Sequence, residues 1–132
     1  MAKQTPSIDQ WLREAKEDPT AAECGMYLTH NGVVRRSPRA RVRRGDRDAG
    51  NVTGMEFGYD PEKVRQAVAE AREMEGIGYV RVWLNEGALK VGDDIMLVLI
   101  GGDIRSHVVD ALQTLVGTLK NECVTERECS EG

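Results

Sequence analysis

The chain of 132 residues is long enough for one domain with its own core, and 40% apolar with 30% charged residues is typical of a globular protein. The net charge of −4 argues against a protein that coats nucleic acid. The longest strongly apolar run, Ile95 to Ile100, is too short to cross a bilayer. The first ten residues contain no signal core and there are three cysteines, so we expect a cytoplasmic protein without disulfides.

The first half of the chain predicts one helix and two strands. Ser7, with Gln10 three residues later, is a capping-box start for a helix that stops before Pro19. The segment "CGMYLTHNGVVR" is rich in β-forming residues and alternates in polarity, which predicts a strand. A second strand is predicted at "VTGMEFGY".

The second half predicts two helices and two further strands. Asp60 followed by Pro61 begins a helix that Gly76 terminates. "IGYVRVWLN" alternates as a strand, "EGALKVGDD" is a connection with a turn, and the apolar "IMLVLIGG" is a central strand. Asp103 is predicted to cap the last helix, and residues 121–132 to form an irregular tail. The order predicts one domain, 1–132, of the α/β class, with helices packed on a mixed sheet.

An arginine-rich stretch interrupts this pattern between the first two strands. Seven arginines lie between Arg35 and Arg47, and the stretch carries a charge of +6 against −10 for the rest of the chain. We expect residues 36–51 to form a flexible loop between two paired strands. A basic charge confined to one segment favours a local anion site over a long phosphate track. The arginines from Arg39 to Arg47 widen that site, attract an acidic protein, or form a mobile solvated loop.

Three places offer chemistry that suits an anion. Arg35 ends the first strand, and Lys120 ends the last helix. In "GGDIRS" two glycines would let a ligand approach the N-terminus of that helix, beside Arg105. The chain has no P-loop, no dinucleotide fingerprint and no nucleophile elbow, and we expect no metal and no cofactor. His107 is interpreted as a partly buried histidine bonded to its surroundings.

The order and spacing of several segments resemble one family. "GMYLTHNGVVR" is similar to a Phe-x-Gly-x-Val-Arg strand with His30 at the phenylalanine and Arg35 at the arginine. "MEFGYD" resembles a "LEYEAY" strand, and "LNEGALKVGDDIMLVLIGGDIRSHVVDAL" resembles an "HHRxGxLxVGE" turn followed by a strand, "SxHR" and a helix. "GTLKNECVTERE" is similar to an "LK…WKKE" end. Over residues 8–128 the chain resembles the large, catalytic subunit of molybdopterin synthase, the MoaE-like family.

The resemblance implies an α/β hammerhead fold and a cytoplasmic homodimer within a heterotetramer. Its partner would be a ubiquitin-like sulfur-carrier small subunit whose C-terminal Gly-Gly thiocarboxylate enters the site. The implied reaction is sulfur transfer to a cyclic pyranopterin monophosphate in molybdenum cofactor biosynthesis. Lys120 would be the catalytic lysine, acting by charge stabilisation or as a base, and Arg35 and Arg105 would hold the phosphate or the carrier's tail. Arg127 would be a further anion-binding residue.

Two departures from the family pattern keep alternatives open. The family's His-Arg pair reads Ile104-Arg105, and its second lysine falls at about Glu126, where Arg127 is adjacent. The first hypothesis is therefore a sulfurtransferase, and the second is a catalytically impaired relative that binds a pterin or a partner protein. The third and least favoured is a nucleic-acid-binding module, because no aromatic residue stands within the arginine stretch as a stacking platform.

Overall fold

Two three-stranded antiparallel sheets form the framework of the protein. The computed structural model describes residues 2–45 and 50–130. The helices are α1 (Ile8–Glu17), α2 (Arg39–Arg44), α3 (Pro61–Arg72) and α4 (Arg105–Thr118), with a 3₁₀ turn at Pro19–Glu23 and a π-helical turn at Leu119–Cys123. The strands are β1 (Met26–Val33), β2 (Val52–Tyr59), β3 (Ile77–Leu84), β4 (Gly87–Lys90), β5 (Asp94–Gly102) and β6 (Val124–Ser130). Within the described ranges no helix is long and apolar enough to span a bilayer.

The first sheet has the order β1-β5-β3 and is buried on both faces by helices. Side chains alternate along β5, because successive residues of a strand point to opposite faces. Leu97 and Leu99 pack against α1 through Trp11 and Ala15. The opposite face of β5 contributes Met96, Val98 and Ile100 to the larger core beneath α3 and α4. This double burial explains why the strand reads as a continuous apolar run, and its predicted central position is confirmed.

The second sheet has the order β4-β2-β6, and all of its pairings are antiparallel. The α/β class with packed helices is confirmed, but the strands form two antiparallel sheets and not one mixed sheet. β1 and β2 were expected to pair, and they belong to different sheets. The reason is that β2 finds its partners in β4 and β6, whose polar sequences gave little strand signal.

Two segments predicted to be irregular have regular structure. The tail predicted over residues 121–132 contains the end of the π-helical turn and then β6, and the loop predicted over residues 36–51 contains α2. β6 was missed because only one apolar side chain, Val124, stands on its inward face with Glu126 and Glu128. The parts of these two predictions at 46–49 and 131–132 lie outside the described residues.

The helix boundaries follow local capping chemistry. The Ser7 hydroxyl accepts a hydrogen bond from the Gln10 amide, and Asp60 accepts from the amide of Glu62, as predicted. The prediction that Gly76 terminates the second of these helices is wrong, because α3 ends at Arg72 with its C-cap at Glu73, and Gly76, whose φ is +78°, lies in the turn before β3. The prediction that Asp103 caps α4 is wrong, because Ile104 takes that position and makes no side-chain cap.

Candidate anion-binding site

A cavity of about 220 Å³ lies where β1, β5, α2, β6 and the π-helical turn meet. Its lining is unusually rich in charge for so small a space. Four basic side chains line it (Arg35, Arg39, Arg43 and Lys120), and two carboxylates face them (Glu126 and Glu128). His30, Met55 and Met96 are among the remaining lining residues. The excess of positive charge makes the cavity suited to an anionic ligand.

Lys120 reaches the cavity from the π-helical turn that continues α4. The neighbouring Leu119 is completely buried and anchors this turn in the core, while the Lys120 side chain keeps 36% of its surface exposed. Turns of this type are rare and occur frequently at functional sites. The sequence therefore fixes the backbone beside Lys120 while leaving its ammonium group accessible from the cavity.

Glu126 is the most deeply placed charge in the cavity. Its side chain is 7% exposed, because the alternation of β6 turns it inward. One carboxylate oxygen, Oε2, pairs with the Arg39 guanidinium. The Lys120 Nζ lies 3.3 Å from the other oxygen, Oε1, but not in hydrogen-bond geometry, and Oε1 accepts no hydrogen bond from the described part of the chain. Glu126 thus joins α2 to the lysine while one of its oxygens lacks a directed partner.

Glu128 fixes the first turn of α2 above the cavity. Its Oε2 accepts a hydrogen bond of 3.1 Å from the Arg39 backbone amide. Arg39 and Arg43 are four residues apart, so they lie on the same face of α2. Both also line an adjoining cavity of about 140 Å³ with Lys120. This arrangement supports the hypothesis that arginines of the basic stretch widen the anion site.

Arg35 follows β1, whose end is held firmly. Val34 is 2% exposed, and its amide donates a 2.9 Å hydrogen bond to the Asp93 carbonyl. The Arg35 Nε donates to the Ser37 carbonyl at 3.0 Å, which orients the exposed guanidinium along the rim. Since a guanidinium has five N–H donors, the others remain able to hold an anion.

His30 brings a titratable ring to the same cavity. Burial lowers the pKa of His30 because it disfavours the charged imidazolium, and the positive charge of Lys120 lowers it further. We therefore expect a neutral ring at neutral pH. No described residue makes a hydrogen bond to either ring nitrogen. In the sequence His30 stands out only as a departure from the family's phenylalanine, and strand alternation does not predict its place beside Lys120.

The structure brings together two of the four predicted site residues, Arg35 and Lys120. Arg105 begins α4, and a rise of about 1.5 Å per residue puts it about 22 Å along the helix axis from Lys120. Arg127 is exposed on the outer face of the second sheet, opposite Glu56. Neither Arg105 nor Arg127 lines the cavity.

The two glycines of "GGDIRS" do not provide the opening for a ligand that the sequence predicts. A Cβ at Gly102 would lie 2.7 Å from the Gly76 carbonyl oxygen, and one at Gly101 would lie 2.5 Å from the Tyr27 ring. These glycines therefore serve close packing within the chain. Asp103 places its own carboxylate at the helix start, where Oδ1 accepts a 2.6 Å hydrogen bond from the Ile104 amide.

His107 stands beside this helix start, away from the cavity. Its Nδ1 lies 2.8 Å from Asp103 Oδ1, and its Nε2 lies 3.4 Å from a Glu75 oxygen. The hydrogen bond with Asp103 raises the pKa of His107. Its interpretation as a bonded, partly buried histidine is confirmed. Among the described residues, no three His, Cys, Asp or Glu side chains are grouped to hold a metal ion.

Solved structures of known function share this fold. Molybdopterin synthase from Staphylococcus aureus matches with a TM-score of 0.73 and 17% identity, over 97% of this chain and 88% of that chain. The molybdopterin biosynthesis MoaE protein of Burkholderia ambifaria matches at 0.70 and 18% identity, over 98% and 83%. A complex of subunits 1 and 2 of the molybdopterin-converting factor from Helicobacter pylori matches at 0.66 and 13% identity, over 96% and 80%.

A second comparison concerns the sequence itself. No curated protein matches the chain significantly. The sequence model of the MoaE protein family, in contrast, matches residues 1–122, which include β1 to β5, α1 to α4 and Lys120. The resemblance seen in the sequence motifs is thereby confirmed, and the chain belongs to the MoaE protein family.

Proposed function

We propose that this protein is the large subunit of a molybdopterin synthase, which transfers sulfur from a thiocarboxylated small carrier subunit to a cyclic pyranopterin monophosphate. Membership of the MoaE family supports a role in molybdenum cofactor biosynthesis. The observation that carries the proposal further is the common cavity of Arg35 and Lys120, the two positions at which the family pattern and the geometry agree.

The cavity offers the two kinds of group that this reaction needs. The guanidinium of Arg35 suits a phosphate or a carboxylate, because its donors form a planar fork. The ammonium of Lys120 can stabilise negative charge that develops on the acyl group of the carrier's tail. His30, neutral at neutral pH, can accept a proton in the same space. Positioning and charge stabilisation would therefore be supplied by three side chains from separate segments.

The proposed partner is a small protein with an extended C-terminal tail. The Helicobacter pylori structure of similar fold is a complex of two subunits of the molybdopterin-converting factor, which supports a small-subunit partner here. The cavity is open to a narrow tail, since Arg35, Arg43 and Lys120 on its lining are exposed. The chemistry fits a Gly-Gly thiocarboxylate, which is slender and anionic.

Arg105 and Arg127 could contribute to the proposed function only at a contact with another subunit. Both are exposed and lie outside the cavity that contains Lys120. In the proposed homodimer within a heterotetramer, they would act at a surface shared with a neighbouring subunit. Arg105 would be reached from a second copy at the start of α4, and Arg127 from the outer face of the second sheet.

Reconstitution tests the proposal. The protein would be mixed with a thiocarboxylated carrier and cyclic pyranopterin monophosphate, and molybdopterin would be measured as its oxidised fluorescent derivative. We expect product from the wild type and a loss of at least about a hundredfold in Lys120→Ala, the range of a removed electrostatic group. The control is Lys16→Ala, an exposed lysine on α1. Equal product from both variants would contradict the proposed role of Lys120.

A second candidate function is binding without sulfur transfer. The observation that favours it is Glu126, which stands at about the family's second lysine and forms ion pairs with Lys120 and Arg39. Carrier binding without product in the same assay would select this candidate. Nucleic-acid binding is not favoured, because Arg39 and Arg43 face cavities and not an open surface track.

A further inference from the structure

The carboxylate of Glu126 is an unexpected component of a cavity with four basic side chains. A negative charge this close to a bound anion would repel it. The repulsion matters because Glu126 is 7% exposed and water screens it little. Its position is also fixed, since Oε2 is held by Arg39 and β6 is paired along its length with β2. An anion that binds in this cavity is therefore repelled by a carboxylate that cannot move away.

The second carboxylate oxygen of Glu126, which faces Lys120 but accepts no hydrogen bond within the described structure, indicates how a ligand can bind beside this charge. Oε1 is buried and accepts no hydrogen bond from the described residues, although Lys120 Nζ lies 3.3 Å away. A buried acceptor without a hydrogen bond is unfavourable even beside a positive charge, and a ligand donor that supplies the bond gains the value of a charge-assisted hydrogen bond. A ligand with an O–H or N–H beside its anionic group would turn the repulsion into attraction.

His30 adds a second acceptor to the same wall. A neutral imidazole has one nitrogen that accepts, whichever tautomer is present. Neither ring nitrogen of His30 is hydrogen-bonded within the described structure. The cavity therefore combines basic side chains from α2, the segment before it and the π-helical turn with two acceptors on β1 and β6.

We infer that Glu126 is a specificity-determining residue, which selects anions that carry a hydrogen-bond donor and rejects anions of the same shape that carry none. The inference rests on the proposed function only in taking this cavity as the site of the anionic substrate. It requires neither the carrier protein nor sulfur transfer. The selectivity arises because an anion without a donor meets only repulsion from the Glu126 carboxylate, whereas an anion with a donor also forms a hydrogen bond with it.

Inorganic phosphate and sulfate are the probes that separate charge from hydrogen bonding. The two are tetrahedral and similar in size, but at neutral pH phosphate retains at least one P–OH group and sulfate has none. Attraction by the basic residues alone predicts that sulfate, with a charge at least as large, binds as well or better. A hydrogen bond accepted by Glu126 predicts instead that phosphate binds more tightly than sulfate.

The experiment is a titration of the wild type, Glu126→Gln and Glu56→Gln with each ion, followed by amide chemical shifts at constant ionic strength. Glu56 is a matched control, because it is an exposed glutamate on β2 that faces away from the cavity. We expect the wild type and Glu56→Gln to prefer phosphate by roughly tenfold or more, the value of one charge-assisted hydrogen bond. In Glu126→Gln sulfate should bind more tightly, and the preference should fall below about threefold.

Three results would overturn the inference: equal binding of the two ions by the wild type, a preference unchanged in Glu126→Gln, or no binding of either ion. Equal binding by the wild type overturns the inference even when the glutamine variant fails to fold, which its thermal melt would reveal. Glu126→Asp, which keeps the charge but withdraws the carboxylate by one methylene, then replaces it, and an unchanged phosphate preference in that variant would also contradict the role of Glu126. A protein that prefers phosphate but yields no molybdopterin in reconstitution would refute the proposed function and leave this selectivity in place.

Discussion

β5 and β6 both border the cavity, but β5 is apolar and buried, whereas β6 is polar and charged. From Ile95 to Gly102, β5 is buried residue by residue and contacts helices on both faces. β6 alternates exposed and half-buried residues and points carboxylates inward. β5 therefore contributes mainly apolar burial, and β6 contributes charge to the cavity. The comparison shows that the most deeply buried strand and the strand that supplies the carboxylates of the cavity belong to different sheets.

The largest effect should come from the apolar strand. Leu97→Ala removes a fully buried side chain between β5 and α1, and we expect a loss of about 2–5 kcal/mol in the free energy of unfolding. On the outer face of β6, Thr125→Ala should change it by less than about 0.5 kcal/mol. Chemical denaturation of the two variants measures both values. If both variants lost the same free energy of unfolding, β5 would not contribute more to stability than β6.

The next effect tests whether Glu126 fastens α2 to the second sheet. Glu126→Ala leaves Arg39 and Lys120 without their carboxylate, and we expect a loss of about 1–3 kcal/mol. When Arg39→Ala is added to Glu126→Ala, we expect a further loss in the free energy of unfolding much smaller than the loss from Arg39→Ala alone. The reason is that the two side chains share one interaction. Trypsin should also cleave the released α2 faster. Additive losses in the double-mutant cycle would argue against the pairing.

A smaller effect is expected on anion binding by the basic stretch. Arg43 lines both cavities and forms no ion pair with the described residues, so Arg43→Ala should weaken phosphate binding by about three- to tenfold. The exposed Arg36, on the same segment but outside both cavities, provides the control. Titrations at two salt concentrations should show a weaker salt dependence for Arg43→Ala alone. An equal loss in both variants would indicate general charge attraction and no defined subsite.

The smallest effect distinguishes the two histidines, one at the cavity and one at the start of α4. The pKa of His107 is raised by Asp103, with Glu75 and Asp110 adding to it, so its stabilising contribution is present below the unfolded value and is lost as pH rises through the folded one. The pKa of His30 is lowered by burial and by Lys120, so its contribution is present above the unfolded value and is lost as pH falls toward the folded one.

Proton NMR titration of the two imidazole rings checks this opposition. We expect His107 to titrate above the reference value of about 6.5 and His30 below it. Lys120→Ala should raise the value for His30 and leave the value for His107 unchanged. The reverse order of the two rings would contradict the described surroundings of both.

How much could be predicted from the sequence differs between the same two sheets. The apolar run of β5 and the Asp60–Pro61 helix start are strong local signals, and each is confirmed. The end of α3 was placed too late, because the positive φ of Gly76 serves the turn before β3 and the helix ends at Arg72. β6 was missed because its inward residues are charged, and their partners come from α2. Such charges are stabilised only by residues distant in the sequence, so no local pattern reveals them.

Some residues of the candidate site could likewise be predicted from the sequence, and others could not. Arg35 and Lys120 were found from a family pattern, whereas Arg39, Arg43 and Glu126 needed the folded arrangement to be recognised as one group. Arg105 had the right chemistry but lies at the other end of α4, and periodicity along a helix says nothing about which end faces a cavity. The alternation of "VTERE" could have indicated that Glu126 and Arg127 face opposite sides.

The bonds between Arg39 and β6 also have a kinetic consequence. They join residues 87 and 89 positions apart in the sequence. Contacts of such long range form only after the intervening chain has been brought into place, and they contribute to slow, late steps of folding. The β3–β5 pairing joins residues only 12 to 25 positions apart and can therefore form before the charged wall of the cavity exists. We expect refolding to form that pairing first and to restore the capacity to bind an anion last.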